Sequence, residues 1–367
     1  MKIKALVARR PAEPFSVEEL ELTDPQEDEI LVKIAGVGLC HTDLVIKAAA
    51  GEFYPAPAVL GHEGSGIVEK VGAGVTKVAA GDRVAITFRS CGRCDRCDEG
   101  YASYCRSFPQ LNMSGAREDG SKSYSKGDEA VAGNFFGQSS FGTHALTYER
   151  NVVKVPEDIP LELVGPLGCG VQTGFGGVVR SLAAKAGSSI LILGGGAVGL
   201  SAVMGAKVQQ CRTVILLEPH PARRELALEL GATHVLDPAE VSELADAVRA
   251  IVPVGVDYAL DTTGIPALLK DAMGCLGSRA VFGIIGVAPP GTPAPGEITD
   301  LVTYGYTIKG IVEGDSDPDS FIPEMMDHYR AGRMPFDKMI KTYPLDQINE
   351  AVAAQAAGEC VKVVLIP

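Results

Sequence analysis

Ser189-Ile190-Leu191-Ile192-Leu193-Gly194-Gly195-Gly196-Ala197-Val198-Gly199 sets the architecture of this chain. Apolar residues run from Ile190 to Leu193 without polar alternation, as a strand buried on both faces requires. Glycines at the spacing Gly194-x-Gly196-x-x-Gly199 follow at once, and residues 197–208 continue with small and apolar residues suited to a helix. The first glycine permits a tight turn, the second lets a pyrophosphate approach the backbone, and the third lets helix pack on strand. A helix starting there turns its free N–H groups and positive dipole end toward an anion. Gly194, Gly196, Val198 and Gly199 are therefore candidate cofactor contacts.

The same grammar continues on the C-terminal side. Val214–Leu217, Val256–Leu260 and Ala280–Ile285 repeat the short apolar run, and residues 223–230 and 241–251 between them suit helices. Strand and helix alternating at this spacing predict an α/β fold, a Rossmann-type doubly wound parallel sheet, over residues 171–310. Glu218 ends the second strand, 19 residues past Gly199, where an acid accepts hydrogen bonds from the adenosine ribose and repels a 2′-phosphate. Arg223 and Arg224 could host such a phosphate, but the acid at the strand tip favours NAD.

On the N-terminal side the period changes. Residues 30–34, 66–72 and 81–86 are short β-patterned runs set between turns, which predict a β-rich, partly barrel-like domain. Residues 361–366 read as a strand returning to it. The expected division is residues 1–170 with 311–367 as the catalytic domain and 171–310 as the cofactor domain. Residues 112–140, polar and rich in Gly and Ser, read as a long surface excursion.

A length of 367 residues supports two full cores. A net charge of −13 argues against nucleic acid, whose phosphates need a basic face. No stretch approaches the roughly 20 apolar residues of a membrane span. The first residues are too soon interrupted by Arg9 and Arg10 to read as a signal peptide, so a cytoplasmic protein with reduced thiols is expected. Nine cysteines is an odd number, so they cannot all pair within the chain. Cys211, Cys275 and Cys360, isolated in apolar surroundings, read as core residues.

Cys91, Cys94, Cys97 and Cys105 have the spacing Cys-x2-Cys-x2-Cys-x7-Cys. Four thiolates so close can close around one tetrahedral zinc, a structural site with no open position. Cys40, His62 and Cys169 would instead make a Cys2His shell with a fourth position free, as a catalytic zinc needs. Spacing alone does not unite three residues spread this far along the chain.

Five motifs taken in order do unite them: Gly38–Asp43, Gly61–Gly66, the four-cysteine run, Gly168–Gly174 and Gly194–Gly199. Together they resemble the zinc-dependent medium-chain alcohol dehydrogenases over essentially the whole chain. The resemblance implies that Cys40, His62 and Cys169 bind a catalytic zinc, with Glu63 an occasional or outer ligand. It implies that Asp43 fixes the tautomer of His62 and that the four-cysteine run binds a second zinc. By the same resemblance Thr42 would hydrogen-bond the substrate oxygen and begin a proton relay. Thr173 would pack against the nicotinamide, and the backbone around Ile285 and Val287 would meet its carboxamide. Arg223 would contact the ribose, while His41 and Lys362 would meet the pyrophosphate. The relay in liver-type members ends in a His at the position held here by Val45, so the exit route differs.

Residues 311–316, 321–323 and 332–338 look like the bacterial aryl-alcohol (benzyl-alcohol) dehydrogenases. That likeness implies an aromatic or allylic primary alcohol as substrate, with Thr87, Phe88 and Val312 as candidate pocket residues. Glu313 stands where the family often has an apolar residue. The alternatives are a glutathione-linked formaldehyde or short aliphatic alcohol dehydrogenase, or a non-catalytic dinucleotide-binding protein. The family implies a homodimer or homotetramer.

Overall fold

The computed structural model describes residues 1–367. By contacts the chain divides into two compact units, one of residues 1–169, 317–326 and 337–367, the other of 170–316 and 327–336.

The second unit is built on a six-stranded parallel sheet. Its order is His234–Leu236, Thr213–Leu217, Ser189–Leu193, Val256–Asp261, Leu276–Ile284, Thr307–Gly310. In chain order this is 3-2-1-4-5-6, the doubly wound arrangement, with its switch point between Ser189–Leu193 and Val256–Asp261. Leu191 and Leu193 are fully buried, with Ile215, Ala259 and Phe282 in one core. Burying each such large aliphatic side chain is worth about 1.5–3 kcal/mol, which accounts for the unbroken apolar runs. The helices Ala197–Val208 and Pro221–Leu230 lie where the pattern puts them, while the next begins at Leu244, after an extended Glu243.

The first unit carries two sheets. One runs in the order Val152–Lys154, Arg83–Ile86, Gly64–Val71, Glu29–Leu39, Lys362–Ile366, Ile340–Pro344, with His144–Tyr148 also on Glu29–Leu39. The C-terminal strand pairs antiparallel with Glu29–Leu39, Val363 opposite Leu39. The other sheet has the order Ala58–Val59, Lys2–Ala8, Ser16–Leu22, Tyr124–Lys126, Glu129–Val131. Alternation is clear on Ser16–Leu22, where Glu18, Leu20 and Leu22 turn inward and Val17, Glu19 and Glu21 outward. Arg9 brackets the buried Glu18 through Nε and Nη2 at 2.6 and 2.7 Å, so its carboxyl is held down to about 2.

Three readings of the sequence need correction. Residues 112–140 are no surface excursion: Tyr124–Lys126 and Glu129–Val131 form a hairpin on the second sheet, and Asn112, Phe135, Phe136 and Gln138 are buried. Their polar composition serves inward hydrogen bonds, such as Asn112 Oδ1 accepting from the Arg89 N–H. The return to the first unit comes at 317 rather than 311, because Ile311 still donates its N–H to Ile284 and Lys309 pairs with Asp315. Residues 327–336 also stay with the second unit, where His328 lies over Phe175. Cys275 and Cys360 are buried as expected, but Cys211 is only half-buried, its sulfur 3.4 Å from Ser188 Oγ.

Candidate active site

Cys40 sits where the strand Glu29–Leu39 breaks into the helix His41–Ala48. Its extended backbone lets Asp43 fold back, so that Asp43 Oδ2 accepts the Cys40 N–H at 3.0 Å. The other oxygen, Oδ1, accepts from the Gly61 N–H at 3.0 Å and meets His62 Nδ1 at 2.9 Å. One fully buried carboxylate thus ties the start of a helix to a segment about twenty residues on. Cys169 follows the turn Gly165–Gly168, and Thr87 Oγ1 donates to the Gly168 carbonyl at 2.7 Å, holding that turn against the strand Arg83–Ile86.

These constraints bring Cys40, His62, Glu63 and Cys169 together, with one donor atom from each within 4.8 Å of the others. His62 is fully buried, and with Nδ1 engaged by Asp43 its Nε2 has no hydrogen-bond partner. An orphaned buried nitrogen costs about 1–3 kcal/mol unless something else takes its lone pair. Two thiols and an imidazole beside it are the donor set of a zinc site, so these residues fit that metal. Burial works against protonation of His62, but the Asp43 charge and the Cys40 sulfur outweigh it and raise its pKa well above the usual range. Hydrogen bonding from Cys169 holds the Cys40 thiol well below the ordinary thiol range despite its burial, with His62 and Lys362 acting in the same direction.

Lys362, expected on a pyrophosphate, is instead buried, donating to the Leu39 carbonyl and forming an ion pair with Glu63. An ammonium taken from water needs a counter-charge, and the nearest buried carboxylate supplies it. Thr42 is half-buried, with Oγ1 3.7 Å from Cys40 Sγ. His41 and Val45 lie exposed on the same helix. Phe88 is packed in the core against Phe108, ring centroids 5.7 Å apart.

Three contributors escaped the sequence reading. The Phe136 ring stacks on His62 at 4.6 Å and 29°, and Phe135 meets the same imidazole edge-on at 5.4 Å. Gln138 then clamps the segment, its Nε2 donating to the His62 carbonyl and its Oε1 accepting the Gly64 N–H. The signal was an aromatic pair inside a Gly/Ser-rich stretch, unusual for a solvated loop.

The sulfurs of Cys91, Cys94, Cys97 and Cys105 also lie within 4.8 Å of one another, near the roughly 3.8 Å separation implied by tetrahedral Zn–S bonds of 2.3 Å. The Arg106 backbone N–H lowers the Cys94 thiol, while burial raises that of Cys105.

In the second unit, Gly194 takes φ +93° and the helix Ala197–Val208 starts at Gly196 with no side-chain cap. A Cβ at Gly199 would stand 1.8 Å from the Gly194 carbonyl, whereas one at Gly196 would meet nothing within 4 Å. The loop is therefore closed by the protein at Gly199 and open to a ligand at Gly196, which fits a dinucleotide. Val198 lies in that first turn, its carbonyl pressed on Gly174. Glu218 reaches the loop, with Oε2 accepting the Gly195 N–H at 2.6 Å and Oε1 that of His220 at 2.9 Å. Arg224 is occupied by the Glu218 and Pro219 carbonyls and by Asp237. The half-buried Arg223 stands 4.0 Å from Glu218 Oε1, its Nε without a partner. Ile285 is half-buried, and Val287 and Val312 are exposed. Thr173 is buried, its hydroxyl donating to Glu313.

Residues 26–157 match the model of the alcohol dehydrogenase GroES-like domain, and residues 197–330 match that of the zinc-binding dehydrogenases. Across 99% of its length the chain is 47% identical to a geraniol dehydrogenase of Castellaniella defragrans, covering 97% of that protein. It belongs to the zinc-dependent medium-chain alcohol dehydrogenases. Solved members of the family superpose closely. An alcohol dehydrogenase zinc-binding domain protein from Burkholderia ambifaria gives a TM-score of 0.97 at 47% identity, and a benzyl alcohol dehydrogenase from Acinetobacter calcoaceticus 0.95 at 41%. Both comparisons cover 100% of this chain and 99% of the other. As an alcohol dehydrogenase, the chain acts on small-molecule substrates. No helix is long and apolar enough to cross a membrane.

Proposed function

We propose that this alcohol dehydrogenase interconverts primary allylic or aromatic alcohols and their aldehydes with NAD, using Cys40, His62 and Cys169 as ligands of a catalytic zinc. The observation that carries the reading is the unpartnered His62 Nε2 among the sulfurs, backed by the Phe135 and Phe136 rings. When bound, zinc supplies Lewis-acid polarisation of the alcohol oxygen, and NAD supplies the hydride-accepting ring. Asp43 holds a proton on His62 Nδ1 and so fixes the ring in the orientation that turns Nε2 toward the metal. Thr42 Oγ1, on the first turn of its helix beside Cys40, would accept a hydrogen bond from the substrate hydroxyl and orient it.

Flat aromatic rings beside the imidazole suit conjugated substrates, and the likeness to geraniol and benzyl alcohol dehydrogenases supports the same class. Thr87 and Phe88 of the first unit and Val312 of the second are the candidate substrate contacts. Gly194, Gly196, Val198 and Gly199 cradle the pyrophosphate, Glu218 and Arg223 take the ribose, and Thr173, Ile285 and Val287 meet the nicotinamide. Glu218 supports NAD over NADP, because a buried carboxylate on the glycine loop repels a 2′-phosphate. Cys91, Cys94, Cys97 and Cys105 hold a second, structural zinc.

The open edge strand Thr307–Gly310 and the exposed Ile298 and Val302 on the helix before it support a homo-oligomer. Nine free thiols suit a reducing compartment such as the cytoplasm. The test is NADH formation from geraniol, cinnamyl and benzyl alcohols set against ethanol and S-hydroxymethylglutathione, with NADP+ in parallel. Turnover of ethanol or the glutathione adduct without turnover of the conjugated alcohols overturns the substrate class. Preference for NADP+ overturns the cofactor.

A further inference from the structure

Residues 313–315 carry the longest run of left-handed backbone in the second unit. Glu313, Gly314 and Asp315 take φ values of +51°, +65° and +52°, three left-handed residues in succession, two of them not glycine. Such a run persists only where the surroundings over-determine it, and strain of this kind collects at functional positions. Here the surroundings are the helix Gly170–Gly176. A Cβ at Gly314 would stand 2.4 Å from the Gln172 carbonyl, so the turn is pressed directly onto helix backbone. Asp315 is anchored by Lys309 at 2.6 Å, and Ser316 Oγ lies 3.1 Å from Gln172 Oε1.

What the turn delivers is a carboxylate. Glu313 is buried, and its Oε2 accepts from Gln172 Nε2 at 3.0 Å and from Thr173 Oγ1 at 3.3 Å. A threonine hydroxyl has one proton; donated to Glu313, it locks the side chain in one orientation and leaves the oxygen lone pairs turned elsewhere. Burying a carboxylate among hydroxyl and amide donors is an expensive way to stabilise a turn, since an apolar residue would cost less.

We propose that Glu313 is a positioning residue for the coenzyme: through Gln172 and Thr173 it preforms the surface on which the nicotinamide is held. The inference rests on the reading of Thr173 as a nicotinamide contact. A preformed surface contributes by sparing the ordering cost on binding, so its loss weakens coenzyme binding and the alignment for hydride transfer, while leaving the metal ligands untouched.

The experiment measures NADH affinity by fluorescence titration, KM for NAD+ and for alcohol, and melting temperature. The variants are Glu313→Ala, Glu313→Gln, Thr173→Val and the double variant Glu313→Ala/Thr173→Val, with Glu313→Met replacing Glu313→Ala if the latter does not fold. Glu313→Ala is expected to weaken NADH binding about tenfold, the scale of one lost hydrogen-bonded contact, with KM for the alcohol little changed. Glu313→Gln, whose amide oxygen still accepts, restores binding to within about threefold of the parent. The double variant binds no worse than the weaker single one, because the two residues act as one unit. Parent-like NADH binding in Glu313→Ala alongside a weakened Thr173→Val overturns the positioning role alone. Effects that multiply in the double variant, or a Glu313→Gln as impaired as Glu313→Ala, overturn it too. Parent-like binding in Thr173→Val overturns the reading of Thr173 beneath it.

Discussion

The two cysteine clusters of the first unit invite comparison. Cys91, Cys94, Cys97 and Cys105 come from a single run of chain, are identical in chemistry, and are mostly half-buried. Cys40, His62, Glu63 and Cys169 come from segments far apart, differ in chemistry, and are mostly buried. The first cluster can form wherever its own loop folds, because local closure costs little chain entropy. The second exists only once Glu29–Leu39, the segment before Gly64–Val71 and the turn Gly165–Gly168 are all in place. The local cluster satisfies itself, whereas the assembled one leaves the His62 Nε2 without a partner. A site built to stabilise closes its donor set; one built to react keeps a valence for something else.

The largest expected effect comes from removing the assembled donors. His62→Ala should cut turnover at least ~1000-fold, as loss of Lewis-acid polarisation demands. Metal analysis should then find one zinc per chain retained, with little change in melting temperature. A variant that loses both metals would break the distinction between the clusters. Cys94→Ser should do the reverse, emptying the local cluster and lowering the melting temperature by ~5 °C or more. Its residual folded fraction should keep a near-normal KM for alcohol, and a selective loss of alcohol binding would show that the two sites are coupled.

Asp43→Asn should weaken metal retention or activity by about 10–100-fold. The amide still fits between Cys40 and His62 but no longer carries the charge that orients the imidazole. Zinc release to a chromogenic chelator measures this, and a parent-like release rate would remove Asp43 from the design of the site. Phe136→Leu should change least, lowering kcat/KM by roughly 3–10-fold for cinnamyl or benzyl alcohol, on the scale of one aromatic contact, and less for ethanol. Equal losses on all three alcohols would mean that the ring only supports His62.

Much of this was legible in the residues. The apolar run and glycine spacing at 189–199 announce a parallel sheet and a dinucleotide turn, because both depend on neighbours a few residues apart. Glu218 was legible for the same reason, as the next strand tip. The four-cysteine run was legible too, and its sulfurs do converge. Phe135, Phe136 and Gln138 were not legible, since their segment has the composition of a loop and only the fold turns it inward. Lys362 read as a pyrophosphate contact and proved to be the buried counter-charge of Glu63. Composition is silent on the direction a side chain takes.

By itself, then, the sequence determined the local chemistry: which strands are buried, where the glycine turn opens, and which four thiols come together. Only the tertiary structure decided that His62 would present an unpartnered nitrogen to two sulfurs, and that Glu313 would hold Thr173. The physical reason is range. Backbone propensity and short-loop closure act over a few residues and are written in neighbouring letters. The placement of Cys40 beside Cys169, or of Glu313 beside Gln172, follows from packing whole sheets and helices around their cores.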